Sequence, residues 1–387
     1  MSRIRPKPPN PSKIGDHETD EPPSRESTRL VAVSRVYNEE DVIEAFVRHH
    51  APMVTHHIIL DNGSVDRTIP ILRLLAREGY PLTVLENRSV SFSQEEHNTM
   101  LYRLAADEHN AAWVVFLDAD EFIFPTPASV RLRQEHQGFP GDHFTAFGQK
   151  HGVGAMERLL RKQLEALPPE AVCGRIQMVN FAATQADDQS DVLAPRRIVY
   201  RDDEPLNVYK CFVRGGIDAG SIKIEAGNHA VRYRGRLREG PLLLELMLAH
   251  YHTRAPLRRL VGALIGSLKV VAAGGAELER GRSGHYASFL EKMMRNPRLL
   301  LDDDDFMLNR NLGRDLVREP IEYYGLPLRY TTANDGISWA LHIMCGYVEA
   351  LARSHGEILD ADPSLRAQVA ARSQLVTMLI ETMDAGD

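Results

Sequence analysis

The run Trp113-Val114-Val115-Phe116-Leu117-Asp118-Ala119-Asp120-Glu121-Phe122 sets five apolar residues directly against three acids. A short apolar run of this kind reads as a buried strand. Side chains two apart on an extended segment share a face, so Asp118 and Asp120 converge on one point and Glu121 turns differently. Three carboxylates ending a buried strand are costly unless something positive sits among them. A hard divalent cation, Mn²⁺ or Mg²⁺, bridging the oxygens of a diphosphate supplies that charge, because both ions keep oxygen ligands.

Working outward toward the N-terminus, three more strand-length runs appear: Leu30–Val33, His57–Leu60 and Leu82–Leu85. Helical periodicity fills the intervals at about 39–49, 65–78 and 94–109. Strand and helix in alternation predict an α/β fold, a mostly parallel, Rossmann-like sheet with helices on both faces. Such sheets bind ligands outside the carboxyl ends of their strands, so the polar residues following each strand come under scrutiny.

After the first strand stands Ser34-Arg35-Val36-Tyr37-Asn38-Glu39-Glu40-Asp41. Asn38 as a helix cap followed by acids in the first turn explains half of this segment. It gives no reason for Arg35 or Tyr37, which a ligand edge would explain, with the aromatic ring flanking a nucleobase. After the second strand stands Asp61-Asn62-Gly63-Ser64-Val65-Asp66-Arg67-Thr68. Asn-Gly makes a tight turn, and Ser64 reads as the cap of the next helix. Asp61 ends a buried strand and needs a donor: a nucleobase N–H, a ribose hydroxyl or a backbone amide.

Beyond the acidic run, shorter strands at Arg175–Val179, Arg197–Tyr200, Val208–Val213, Ile222–Glu225 and His229–Tyr233 are expected to extend the sheet with antiparallel partners. From about 241 the pattern is mainly helical. Leu242–Leu248 should be buried and deliver His250 and His252 to its end. An extended segment turns both rings into one cleft, whereas a helix splays them by about 200°. Leu260–Ala276 is apolar, but it contains Lys269 and falls short of the ~20 residues a membrane span requires. It reads as a buried helix, with a peripheral membrane contact near Arg258 and Arg259 as the alternative. Asp302–Asp305 reads as a solvated loop or an acidic helix start.

Composition narrows the functional classes. The chain has 387 residues, 43% hydrophobic and 26% charged, which suits a soluble protein of two or three folded units. Its 46 lysines and arginines against 53 acids give a net charge of −7, without the basic footprint of a nucleic-acid binder. Cys173, Cys211 and Cys345 form no CxxC pair and are expected to be free thiols in a reducing, cytoplasmic setting. Residues 1–28, rich in proline and charge, are expected to be a disordered tail.

Together these residues resemble a glycosyltransferase of the GT-A fold, of the family 2 type and more closely the family 92 and related bacterial groups. The resemblance rests on Arg35-Val36-Tyr37-Asn38-Glu39, His49-His50, Asp61 to Thr68, Gln94 with Asn98, and Asp118-Ala119-Asp120-Glu121-Phe122. More weakly it extends to Lys210, His229 and the His250-Tyr251-His252-Thr253-Arg254 segment, followed by a helix carrying Lys269. It implies a glycosyltransferase domain over 29–255 and a mainly helical region over 256–387. It further implies transfer of a hexosyl group from a nucleotide-sugar, UDP- or GDP-linked, to a glycan, lipid-linked or small-molecule acceptor.

By the same resemblance Arg35, Tyr37, Asn38, Glu39, Asp61, Asn62, Ser64, Gln94, Asn98, Lys210 and Arg254 would line the donor site. Asp118 and Asp120 would meet the metal, with His229 and His250 as later ligands and Glu121 beside them. Many family 2 enzymes have two aspartates where this chain has Asp61-Asn62, which bears on the choice of nucleotide. An inverting reaction needs a carboxylate base, for which Asp218 and Glu225 are the candidates. Arg254 and Lys269 would bring positive charge to the leaving diphosphate. On this reading, replacing His250 or Arg254 costs turnover far more than melting temperature. Two rivals are a DxD phosphatase, whose acidic motif follows the first strand rather than the fourth, and a nucleotide- or sugar-binding protein without catalysis.

Overall fold

The computed structural model describes residues 29–88, 90, 94–127, 153–184, 187–188, 190–274, 284–296, 315–333 and 335–375. The N-terminal tail and Asp302–Asp305 lie outside these residues.

The first half alternates as expected: β1 (Leu30–Val36), α1 (Ile43–His50), β2 (His56–Asp61), α2 (Thr68–Arg77), β3 (Leu82–Glu86), α3 (Gln94–Arg103) and β4 (Trp113–Phe116). These strands lie side by side, all parallel, in the order β3-β2-β1-β4. Both faces are buried. Ala32 and Val115 enter one core while Val31, Val33, Val114 and Phe116 enter the other. Continuous apolar runs are the price of that double burial. The register pairs Val33 with Phe116 and Val36 with Asp61, so the strand ends carrying Arg35, Asp61 and Asp118 reach one edge together.

The second half adds β5 (Glu121–Pro125), α4 (Val153–Glu165), β6 (Cys173–Ala182), α5 (Ala194–Arg197), β7 (Tyr200–Asp202) and β8 (Tyr209–Arg214). It continues with β9 (Ile222–Ile224), β10 (Val231–Tyr233), β11 (Arg236–Arg238), β12 (Leu242–Thr253), α6 (Pro256–Ala272) and α7 (Gly284–Arg295). β13 (Leu316–Arg318), α8 (Gly336–Ala361) and α9 (Pro363–Leu375) complete the described elements. β8 joins β4 antiparallel, and β6 joins β8 antiparallel. β12 runs parallel to β6 and antiparallel to β5, which makes the ten-stranded sheet mixed beyond β4.

Several local expectations need correction. Residues 197–200 do not form a strand: Arg196 and Arg197 donate their amides to Leu193 O in a short helix, and the strand starts at Tyr200. The segments at 222–225 and 229–233 do not extend the main sheet. With β11 they make a separate three-stranded antiparallel sheet. The reason is burial, because Ile222, Ile224 and Val231 pack with Leu101, Tyr102 and Ala105 beneath α3. The expected helix at 94–109 is α-helical only to Arg103, and it widens into a π-helical turn over Leu104–Glu108.

The region after 241 opens with twelve residues of strand, so β12 delivers His250 and His252 on extended backbone. The later residues fold back onto the first half. Tyr324 is buried in the main core, and Tyr323 stacks on His49 with ring centroids 5.8 Å apart. Glu44 of α1 accepts the backbone N–H groups of Arg329, Tyr330 and Thr331 at 2.7, 2.8 and 2.7 Å. α6 is the buried helix expected from Leu260–Ala276. Its Val261 and Ile265 pack on Trp339, Ile343 and Tyr347 of α8, with Tyr37 against the same cluster. No described helix is long and apolar enough to cross a membrane.

Candidate active site

The loops after β1 and β2 lock together. Asn38 sits in the left-handed region at φ 58°, its N–H donating to Ser64 Oγ (2.8 Å) and its Oδ1 accepting from Val65 N (2.9 Å). Asn38 therefore does not cap α1, and Ser64 does not cap α2. Asp66 takes the second role, accepting from Thr68 N at 2.9 Å and Thr68 Oγ1 at 2.6 Å. Asn62 donates its backbone N–H to Val36 O at 2.9 Å, and Gly63 turns the chain at φ 84°.

Asp61 is fully buried at the end of β2. Its Oδ2 accepts from Gly63 N (3.1 Å) and Ser64 N (2.9 Å), while its Oδ1 is buried without a partner. Burial pushes this carboxyl above its usual range, against the Ser64 hydroxyl and the two amides that lower it. The backbone thus satisfies one oxygen and leaves the other to a further donor. Beside it, Lys269 of α6 places its ammonium 3.5 Å from the centre of the Tyr37 ring. Burial, with the neighbouring Arg35 guanidinium, pushes Lys269 down to about 8, and burial pushes the Tyr37 phenol up to about 12. Arg35 is itself lowered by burial, opposed by the charge of Asp118.

The acidic motif divides into two differently charged halves. Lys210 of β8 reaches Asp118 Oδ2 at 2.5 Å and Glu121 Oε1 at 3.1 Å. Glu121 Oε2 accepts the Asp118 N–H at 2.9 Å, closing the turn on itself. Burial would lower Lys210, but the two carboxylates win and raise it; burial likewise resists ionisation of Asp118, and Lys210 brings it below its usual value. Glu121, fully buried, is pushed well up by burial, against the pull of Lys210. The strongest counter-charge of this lysine is therefore Asp118.

Asp120 belongs to the second half. Arg254 Nη1 lies 3.5 Å from Asp120 Oδ2, Nη2 lies 2.5 Å from Glu39 and Nε lies 2.8 Å from Asp41. Burial pushes Glu39 up to about 7 in spite of Arg254. Burial would raise Asp41 too, but Arg254 and Arg258 outweigh it and hold it at about 2. Arg258 adds a contact of 3.0 Å to Asp41 and stacks 4.0 Å over the Trp339 ring. The charge expected at a leaving diphosphate is thus spent on acids of the β1–α1 loop.

His250 faces the same carboxylate. Its Nδ1 lies 2.9 Å from Asn180 Oδ1, and the Asn180 amide nitrogen points to Asp202 at 3.5 Å. Asn180 Oδ1 can only accept, so Nδ1 carries the proton and Nε2 presents a lone pair. That lone pair stands 3.7 Å from Asp120 Oδ2. Burial, with the Lys210 charge, pushes His250 down to about 3, and His252 falls to about 3 for the same first reason. The two imidazoles lie 5.2 Å apart on one side of β12, as an extended segment requires. Two half-buried acceptors facing each other offer a carboxylate oxygen and an imidazole nitrogen of the kind a divalent cation takes, with the other histidine nitrogen fixed by an amide. Asp120 and His250 fit Mn²⁺ or Mg²⁺. Among the described residues no group of three or more His, Cys, Asp or Glu is arranged to hold a metal ion. A cation held there would need further oxygen ligands from a phosphate or water, as Mg²⁺ commonly takes.

Other sequence-derived residues take structural partners. Asn98 Nδ2 donates to Asn228 Oδ1 at 2.5 Å, holding the turn before β10 against α3. Gln94 is the first residue of α3. His229 Nδ1 donates to Tyr209 O at 2.8 Å, next to Lys210 in the chain. Glu225 pairs with Arg232 and Asp218 with Ser221, both around the small sheet. Sequence reasoning missed Asn180, Asp41 as an arginine anchor, and the α8 wall behind Tyr37. Asn180 carried a weak signal, being the polar residue directly after the expected run Arg175–Val179, although the observed strand continues through it to Ala182.

No family model and no curated protein matches the chain. Solved structures do. S. aureus TarS 1–349 in complex with UDP is similar over 72% of this chain and 74% of that one, at 12% identity and a TM-score of 0.33. The mannosyltransferase PcManGT from Pyrobaculum calidifontis, in complex with GDP-Man and Mn²⁺, is similar over 93% and 88%, at 11% identity and a TM-score of 0.31. Glucosyl-3-phosphoglycerate synthase from Mycobacterium tuberculosis, in complex with Mn²⁺, UDP and glucosyl-3-phosphoglycerate, matches 24% of this chain and 34% of that one, at 24% identity and a TM-score of 0.20.

Proposed function

We propose that this protein is a GT-A-type glycosyltransferase that moves a sugar from a UDP- or GDP-linked donor to a hydroxyl of a glycan, lipid-linked or small-molecule acceptor. One observation carries the reading. Asp120, just past β4, faces the unprotonated Nε2 of His250 at 3.7 Å, at the sheet edge where β2 and β4 also bring Asp61 and Asp118. The acids follow the fourth strand rather than the first, which speaks against a DxD phosphatase.

The residues divide the work. Tyr37 would bound the nucleobase, with the open oxygen of Asp61 accepting a base N–H or a ribose hydroxyl. Asp118, steadied by Lys210, would orient the ribose. Arg35 and Lys269 supply positive charge on the side of the pocket toward the diphosphate. Asp120 and His250 would hold Mn²⁺ or Mg²⁺, which when bound neutralises charge on the leaving group. In an inverting transfer the acceptor hydroxyl enters from the face of the sugar opposite that leaving group. The resemblance to the family 92 group is part of this proposal.

Calorimetric titration with UDP and GDP, with and without Mn²⁺, tests the reading. The expected result is metal-dependent binding in the wild type and its loss in Asp120→Asn with the fold retained. Unchanged affinity in that variant overturns the assignment.

A further inference from the structure

We propose that Lys210 is a built-in counter-ion that makes divalent-metal uptake at Asp120 and His250 depend on the nucleoside diphosphate. The inference rests on the glycosyltransferase reading and adds an order of events to it.

Lys210 lies on a central strand, between β4 and β6, with its side chain 2% exposed. It cannot swing out to water. Its ammonium is held between Asp118 and Glu121, while Glu121 also takes the Asp118 amide. One of the two aspartates is therefore occupied by a cation that belongs to the chain, and the turn over Ala119-Asp120, in place of the expected extended strand, sends the other to different partners. The other is approached by Arg254 at 3.5 Å. A divalent ion coming alone to Asp120 and His250 meets the fixed Lys210 ammonium, an Arg254 guanidinium whose charge is largely matched by Glu39 and Asp41, and a carboxylate supply that is already shared.

Charges a few ångströms apart in a partly buried site interact far more strongly than in water. Lys210, paired with Asp118, thus offsets part of the attraction that a DxD motif would otherwise exert on a free metal. A nucleoside diphosphate changes the balance, since its phosphate oxygens bring the missing negative charge and fill the remaining coordination positions. Lys210 is a positioning residue here: it acts through Asp118 and touches neither the metal nor the transferred sugar.

The experiment is Mn²⁺ binding to the full chain, followed by electron paramagnetic resonance of the free ion, with and without UDP or GDP. In the wild type either nucleotide is expected to tighten Mn²⁺ at least tenfold. Lys210→Met is expected to bind Mn²⁺ without nucleotide at least tenfold more tightly than the wild type does. Because that change leaves Glu121 without its ion pair, Lys210→Met combined with Glu121→Gln is the second arm, with the same outcome expected. Glu121→Gln alone keeps the lysine and keeps the nucleotide dependence. If both lysine variants take Mn²⁺ no better than the wild type, the counter-ion role is refuted. A wild type that binds Mn²⁺ equally with and without nucleotide also refutes it, yet leaves the glycosyltransferase reading standing. One that binds neither nucleotide nor Mn²⁺ refutes both.

Discussion

Replacing Arg254 by glutamine tests how the charges around the acidic motif are balanced. The arginine side chain is 8% exposed and contacts Glu39, Asp41 and Asp120. Breaking a buried ion pair by removing one partner costs ~3–5 kcal/mol, because the other charge stays buried. Asp41 keeps Arg258 at 3.0 Å, so Glu39 bears most of the loss and the lower end, ~3 kcal/mol, applies. At ~2–4 °C per kcal/mol for a domain of this size, the melting temperature should fall by ~6–12 °C.

The deficit also has a pH signature. Burial holds Glu39 at about 7, above its ordinary value, so its ionised form opposes folding and protonation relieves the opposition. Without Arg254 that carboxyl rises further, and the deficit should therefore shrink as the pH is lowered from about 8 to about 6. Scanning calorimetry at both pH values measures it. A melting temperature within ~1 °C of wild type at the higher pH would refute the argument. A fall of that size would run against the expectation drawn from sequence, in which replacing Arg254 costs turnover far more than melting temperature.

Nucleoside-diphosphate affinity should fall as the pH is raised through about 8, where Lys269 loses its ammonium, and Lys269→Arg should flatten that profile; a flat wild-type profile counts against a phosphate role. Asn180→Ala frees the His250 ring and should weaken Mn²⁺ in the presence of UDP by ~10–100-fold with the fold intact, measured by titration. Unaltered metal affinity would show that His250 is not a ligand. Glu44→Gln removes the carboxylate that holds three backbone amides and should cost ~2–4 kcal/mol, read by denaturant unfolding and by faster proteolysis within 319–333. Cleavage no faster than in wild type would mean that the segment is held by its tyrosines alone.

The parallel half of the fold was legible because double burial leaves a mark on sequence: runs such as Val31-Ala32-Val33 and Trp113 to Leu117 have no polar interruption. The edge where Asp61 and Asp118 sit followed from topology. What stayed hidden depends on contacts distant in the chain. Nothing near Ile222 says whether it will extend an edge or settle under α3, 120 residues earlier in the chain. Nothing near Asn38 announces that Ser64 will claim its amide and that the cap will be lost. Arg254 looked like a phosphate ligand because its partners, Glu39 and Asp41, lie 215 and 213 residues away. A basic residue in a motif reads as available until its acids are found.

The placement of β12 bears on how the molecule is made. It fills the gap between β5 and β6, pairing Leu248 with Ile123 on one side and Met178 on the other. As the chain leaves the ribosome, β5 emerges more than a hundred residues before the strand that will cover it. Until residue 253 is free, two apolar strands offer bare edges, the state from which nascent sheets stick to one another. The backbone N–H of Thr331, which donates to Glu44, arrives later still, 287 residues downstream. Synthesis of this protein therefore carries a long interval of vulnerability, and truncation just past β8 should yield aggregate rather than a smaller folded domain.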